Sequence, residues 1–195
     1  MAPPIEIPNI RIITVSGRIA SGSTTLAKHL AEKLNWRLLE GGEIFWEAVR
    51  KKMGLAEKDT NLRPDQEDEL FDAKLKQILN EEDHIVLETK LAAFNAQGIE
   101  RIFKILVLCE REGEDQPRIR IDRLINREAI SVEEAKEEVL HREQSDLEKW
   151  RKLYANFDPN WFYWDKKYYD LVINTYDKNA NETFQTALNA LGLES

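Results

Sequence analysis

The sequence holds a single cysteine, Cys109. One thiol cannot close an internal disulfide and cannot build a cysteine-based zinc site, so neither device supports the fold. Cys109 follows the apolar run Ile105-Leu106-Val107-Leu108 and reads as a buried strand thiol, since free cysteine behaves as a small hydrophobe. Histidine is also scarce: His29, His84 and His141 are scattered, without metal-ligand spacing. Excess positive charge is lacking. The formal net charge of -8 argues against a basic surface for non-specific nucleic-acid or membrane binding, and neither partner is expected. The apolar runs fall far short of the ~20 residues that span a bilayer. The opening Met1-Ala2-Pro3-Pro4 lacks a basic stretch leading into an apolar one, so no signal peptide is expected and a cytoplasmic placement follows. Internal repeats and low-complexity linkers are likewise missing.

What is present is ample core material. Hydrophobic residues make up 42% of the 195 positions, enough to exclude disorder as the default. The length suits one domain, or one domain with an inserted lobe. Short apolar runs alternate with amphipathic stretches, the pattern of a parallel sheet covered by helices. Residues 10–16 read as a first strand, mostly β-branched and ended by glycine. Leu26, Leu30, Ala31 and Leu34 then recur at helical spacing over 22–34. Strands are expected at 36–40, 84–88, 103–108 and 169–174, with helices at 43–52, 64–79 and 182–191. In the second of these helices Leu70, Phe71, Leu75, Ile78 and Leu79 are assigned to one side. The segment 111–154 is highly charged and helical, and inserts between the fourth and fifth strands. The expected fold is α/β, a doubly wound five-stranded parallel sheet that binds ligand outside the carboxyl ends of its strands.

The strongest local signal is Gly17-Arg18-Ile19-Ala20-Ser21-Gly22-Ser23-Thr24-Thr25, between the first strand and first helix. Gly17 and Gly22 have the G-x-x-x-x-G spacing of a P-loop. Glycine lets the backbone turn and aim N–H groups inward, and the helix N-terminus adds its positive end. Thr24 occupies the position whose hydroxyl holds Mg²⁺. Ser23 stands where the motif has lysine, and Arg18 is the cation within the loop that can supply the missing charge. A nucleoside triphosphate is the expected ligand, with Ser21 and Thr25 completing its cradle.

From here the chain resembles the cytidylate kinase family of nucleoside monophosphate kinases, especially its archaeal-type members. The similarity runs from about position 12 to 175 and rests on several motifs. Gly42-Glu43-Ile44-Phe45 resembles the family's Gly-Asp-Ile-Phe-Arg, with Trp46 where the family has arginine. Asp68, Asp72 and Lys74 resemble an acidic helix pattern that ends in arginine in the family. Leu87-Glu88-Thr89-Lys90-Leu91-Ala92 resembles Leu-Glu-Gly-Arg-Leu-Ala. The lid follows, as Arg120-Ile121-Asp122-Arg123-Leu124-Ile125-Asn126-Arg127-Glu128, Ser131-Val132-Glu133-Glu134-Ala135 and Arg142-Glu143-Gln144-Ser145-Asp146. Tyr169-Asp170-Leu171-Val172-Ile173-Asn174-Thr175 ends the series. Lys74, Lys90 and Lys149 stand where arginines are expected; lysine keeps the charge but loses the planar bidentate grip on phosphate.

The resemblance implies a monomeric P-loop kinase over 1–195, with a core at about 8–110 and 168–195. Acceptor-binding helices would lie at about 42–80 and a helical lid at about 111–156. It implies ATP as co-substrate, Mg²⁺, and CMP or dCMP as acceptor. Arg123, Arg127, Arg142 and Lys90 would act on the transferring phosphoryl group, whose transfer needs positioning and charge neutralisation more than covalent help. Arg120 would join the P-loop in holding ATP; Arg120, Arg123 and Arg127 are spaced to share one helix face. Gly42, Phe45, Asp68, Asp72, Lys74, Glu88, Asp146 and Lys149 would hold the acceptor, and Glu88 would also order Mg²⁺-bound water. Trp161-Phe162-Tyr163-Trp164 with Tyr168-Tyr169 can stack on a base or pack the lid against the core. Two other functions fit the same residues: a kinase of similar fold with another small acceptor, and a catalytically weakened nucleotide-binding regulator.

Overall fold

Ile12, Ile13 and Val15 have no exposed surface, so strand β1 (Ile12–Gly17) is covered on both faces. The computed structural model describes residues 3–41 and 65–193. β1 lies at the centre of a sheet with β2 (Arg37–Glu40), β3 (Ile85–Glu88), β4 (Ile102–Leu108) and β7 (Leu171–Asn174), in the order β2-β3-β1-β4-β7. Every neighbouring pair is parallel. Val15 lies opposite Glu88 on one side and Ile105 on the other. The chain therefore leaves β1 at the carboxyl edge, between β3 and β4, where the direction of winding reverses.

Alternate residues of the strands face opposite layers. Ile13, Val15, Ile105 and Val107 pack against Leu26, Leu30 and Leu34 of α1 (Ser23–Leu34) and Ala187 and Leu188 of α7 (Ala180–Ala190). Ile12, Ile85, Leu87 and Ile102 pack against Phe71, Leu75 and Leu79 of α2 (Asp65–Glu81) and Ala92 of α3 (Ala92–Asn95). Helices on both faces of a five-stranded parallel sheet are the α/β arrangement the alternation predicts.

The segment between β4 and β7 begins with a small antiparallel hairpin, β5 (Glu110–Arg111) and β6 (Glu114–Asp115), where helix alone is expected. Helix α4 (Pro117–Glu128) follows, opened by proline in its first turn. Then come α5 (Val132–Lys136), a π-helical turn (Glu137–Arg142) and α6 (Glu143–Tyr154). Ile121, Leu124, Ala135 and Val139 form one cluster, against which Ile19 and Ala20 of the glycine loop pack. Leu147, Trp150, Trp161 and Tyr163 form another with Leu91. Of the two roles open to the aromatic segment, Trp161 and Tyr163 take packing, since both are buried.

Other departures have local causes. Leu70 is 50% exposed, because the inward stripe of α2 passes through Phe71 and Leu75. The last strand starts at Leu171 because a 3₁₀ turn occupies Lys166–Tyr168. Helix α7 starts at Ala180, where Asn179 and Glu182 form a capping box. The helix expected at 43–52 lies outside the described residues. Among the described residues no helix is long and apolar enough to cross a membrane.

Candidate active site

The loop from Gly17 to Gly22 takes its shape from steric limits. A Cβ on Gly17 would lie 2.3 Å from Ser21 Oγ and 2.9 Å from the Val107 carbonyl. Gly22 caps α1 with φ +109, a conformation that L side chains rarely adopt. Ala20 is also left-handed, at φ +60. The Ser21 N–H donates to the Arg18 carbonyl at 3.0 Å. No side chain caps the N-terminus of α1, which leaves its first N–H groups available to an anion.

Beside this cradle Ser23 Oγ donates to Glu88 Oε1 at 2.7 Å, and Thr24 Oγ1 lies 3.3 Å from the same oxygen. Burial is the main cause raising the Glu88 carboxyl above its ordinary range, and nearby Glu40 adds to it; the hydrogen bonds from Ser23 and Thr24 oppose. Two hydroxyls and a carboxylate are hard oxygen donors that fit Mg²⁺. No three acidic, histidine or cysteine side chains converge into a metal site among the described residues. Phosphate oxygens and water would therefore complete the shell of such an ion.

Arg18 and Arg120 do not point into the cradle. Arg18 Nε and Nη2 donate to Glu143 Oε1 at 2.9 and 2.5 Å, and Nη1 lies 3.1 Å from Asp115 Oδ2. Its guanidinium stacks 4.4 Å from the Trp164 ring centroid. Arg120 is buried and donates to the Ile19 carbonyl at 2.9 Å, to Glu143 and to Asp115. The charge expected at the phosphates from these two arginines is held by carboxylates instead. Along α4 burial falls steeply: Arg120 is swallowed by the loop junction, whereas Arg127 is exposed and paired with Glu128 at 2.6 Å.

Arg123 lies between them. Its Nη1 donates to Thr175 Oγ1 at 2.8 Å and lies 3.4 Å from the Ser21 carbonyl; Nη2 donates to the Thr175 carbonyl at 2.6 Å. Thr175 Oγ1 in turn lies 2.8 Å from the Ser21 carbonyl, tying the loop after β7 to the glycine loop. A cavity of about 590 Å³ opens here, lined by Gly22, Thr25, Arg123, Arg127, Lys178 and Asn179 among others. Arg142 pairs with Glu138 at 2.5 Å, one turn back on its own helix.

On the other side of Glu88 a second group of polar residues gathers. Lys90 Nζ donates to Asp146 Oδ2 at 2.9 Å, and Lys149 Nζ lies 2.5 Å from Asp68 Oδ2. Asn95 Nδ2 donates to Asp72 Oδ1 at 2.8 Å, deep in the fold. Burial, the largest influence, raises the Asp72 carboxyl, while hydrogen bonds from Tyr154 and Asn95 oppose. Asp68 and Asp72 are one turn apart and share the buried face of α2; Lys74 falls on the opposite side, exposed and bonded to Gln77 at 3.2 Å. Gly42 and Phe45 lie outside the described residues. Sequence reasoning gave no role to Asn95, Tyr154, Asp115, Glu143 or Thr175. Glu143 lies within the Arg142–Asp146 motif and Thr175 ends the Tyr169–Thr175 motif, whereas Asp115 belongs to no motif.

The fold and this loop define a P-loop kinase. A shikimate kinase from Bacteroides thetaiotaomicron superposes with a TM-score of 0.62 at 18% identity, covering 94% of this chain and 99% of that one. A cytidylate kinase from Haloarcula marismortui is 32% identical over 184 residues, 92% of this chain and 88% of its own. One from Natronomonas pharaonis is 34% identical over 168 residues, 84% and 80% of the two chains. Residues 12–177 match the model of the cytidylate kinase-like family, and the chain belongs to that family. It is an ATP-dependent phosphotransferase of the nucleoside monophosphate kinase class.

Proposed function

We propose that this kinase transfers the γ-phosphoryl group of MgATP to CMP or dCMP. The observation that supports this most is the convergence of Lys90–Asp146, Lys149–Asp68 and Asp72–Asn95 beside Glu88, next to the P-loop. Lysines suit the acceptor phosphate. Buried carboxyl and amide oxygens suit the exocyclic amino group of cytosine, and a site built around that donor is left with an unpaired acceptor by UMP. An oxygen of the acceptor phosphate attacks the γ-phosphorus, the bond to the β-bridging oxygen breaks, and ADP leaves. The loop N–H groups bind the triphosphate, and Arg123 and Arg142 lie on the insert side, where charge on the transferring group is neutralised. Ser23, Thr24 and Glu88 would hold Mg²⁺, which when bound neutralises charge on the β- and γ-oxygens.

One observation favours a second reading. Lys90 and Lys149 are each already matched by a carboxylate, so an acceptor without a phosphate would meet the same residues with less rearrangement. Coupled ADP release with CMP, dCMP, UMP, AMP and GMP at equal MgATP separates the two. CMP or dCMP should give the highest kcat/KM. Preference for a purine monophosphate, or turnover with none of the five, overturns the proposal.

A further inference from the structure

Arg120, the most deeply buried charge among the described residues, belongs to a cluster whose hydrogen bonds run to the loop backbone and to carboxylates. Arg120 is 1% exposed and Glu143 3%, and Arg18 and Asp115 complete the set. Two guanidinium groups face two carboxylates, so the cluster offers little net charge to a triphosphate. Its geometry is directed at the loop backbone instead. The Ile19 N–H donates to Glu143 Oε2 at 3.0 Å, and the Ile19 carbonyl accepts from Arg120 Nη1 at 2.9 Å. Both polar groups of one loop residue are thus committed to the helical insert.

We propose that Glu143 is a positioning residue for the phosphate loop, holding its backbone in the anion-binding shape before nucleotide arrives. The inference rests on the reading of Gly17–Thr25 as the triphosphate site. Ala20, next to the anchored Ile19, is a non-glycine residue at φ +60, a conformation that persists only where surroundings impose it. Those surroundings are the Glu143 carboxylate, Arg120, and the cluster of Ile121, Leu124, Ala135 and Val139 on which Ile19 and Ala20 pack. Arg18 also donates to the carboxylate and is itself fixed by the Trp164 ring. Burial pushes the Glu143 carboxyl up, but Arg120 and Arg18 beside it hold it below its usual range. Both of its oxygens accept hydrogen bonds, from Arg18, Arg120 and the Ile19 N–H. Glu143 also begins α6 directly after the π-helical turn, a local change of helical register of the kind often found at functional positions. A loop ordered in advance leaves less ordering to be done on binding, so the effect belongs to nucleotide affinity more than to the chemical step.

The test is calorimetry with Mg²⁺ and a non-hydrolysable ATP analogue, together with steady-state kinetics and amide exchange at Ile19. Glu143→Gln should raise the Kd for the analogue and the KM for MgATP roughly tenfold or more. kcat should fall by a much smaller factor, and Ile19 should exchange faster. Arg18→Met removes a partner whose side chain is only 19% exposed, provides the same readout if Glu143→Gln fails to fold, and should raise the Kd by a smaller factor. A folded variant with a lowered Tm but parental Kd and KM would overturn the inference, leaving the cluster a clamp on stability alone. A parent protein that does not bind the analogue would overturn the triphosphate reading and this inference together.

Discussion

Ser23 Oγ hydrogen-bonds Glu88 Oε1 at 2.7 Å, so a hydroxyl–carboxyl pair occupies the place where a P-loop motif puts a lysine. The carboxyl is raised above its usual range, chiefly by burial. A carboxyl with a raised folded pKa stabilises the fold below its unfolded pKa, about 4.3, and that contribution is lost as pH rises through the folded value. Glu88→Gln should therefore raise the Tm of the nucleotide-free protein at pH 8 by about 2–4 °C and change it little at pH 4. The same variant should bind the Mg²⁺–ATP analogue more weakly at pH 8. Thermal melts and calorimetry at the two pH values check both signs.

Gly22→Val sets a β-branched side chain at φ +109, and Gly17→Ala places a Cβ 2.3 Å from Ser21 Oγ. The first should weaken binding of the ATP analogue roughly 5- to 30-fold, because the left-handed backbone costs roughly 1–2 kcal/mol. The second should lower the Tm as well as the affinity, since Ser21 is buried against the backbone that must move. Calorimetry and melting curves separate the two effects.

Arg123 and Arg127 lie one turn apart and should behave differently. Arg123 is fixed by Thr175 and lies within reach of the Ser21 carbonyl, whereas Arg127 is a solvated partner of Glu128. Arg123→Ala should cost kcat roughly 100-fold, the scale of removing one preorganised charge donor. Arg127→Ala should change it by no more than about threefold, as expected of an exposed ion pair. Single-turnover kinetics measures both, and equal effects would contradict the burial gradient along α4.

Lys90 reaches Asp146 at 2.9 Å with a single ammonium group. Lys90→Arg offers a planar fork able to hold that carboxylate and a phosphate oxygen together. It should lower the KM for CMP roughly threefold or more, leaving the KM for MgATP unchanged. Initial rates over a CMP titration check it; a raised KM would place Lys90 away from the acceptor phosphate.

The glycine loop was legible because its backbone demands are local: Gly17 and Gly22 are required by a close contact and a positive φ within the loop itself. The alternation of strands and helices was legible for the same reason. The fates of Arg18 and Arg120 were not. The carboxylate that claims Arg18 lies 125 positions away, and nothing in the local spacing of charges marks it. Even spacing along α4 correctly suggested a shared face but not that one end of the face is buried and the other wet. Asp68 and Asp72 fell one turn apart on the buried side of α2, as helical periodicity requires, and the same periodicity turns Lys74 outward.

The central position of β1 also bears on how the chain reaches its native state. Ile12 pairs with both Ile85 and Ile102, and the Ser21 carbonyl is met by Thr175 from 154 positions away. β1 is synthesised well before either of its partners, and must wait until β3 and β4 have both been made before it has neighbours on both sides. Such long-range pairing slows folding and leaves an apolar strand with open edges in the meantime. A nascent chain stopped before β4 should hold no nucleotide and should depend on chaperones, whereas one extending through Thr175 has every described contact of the phosphate loop within reach.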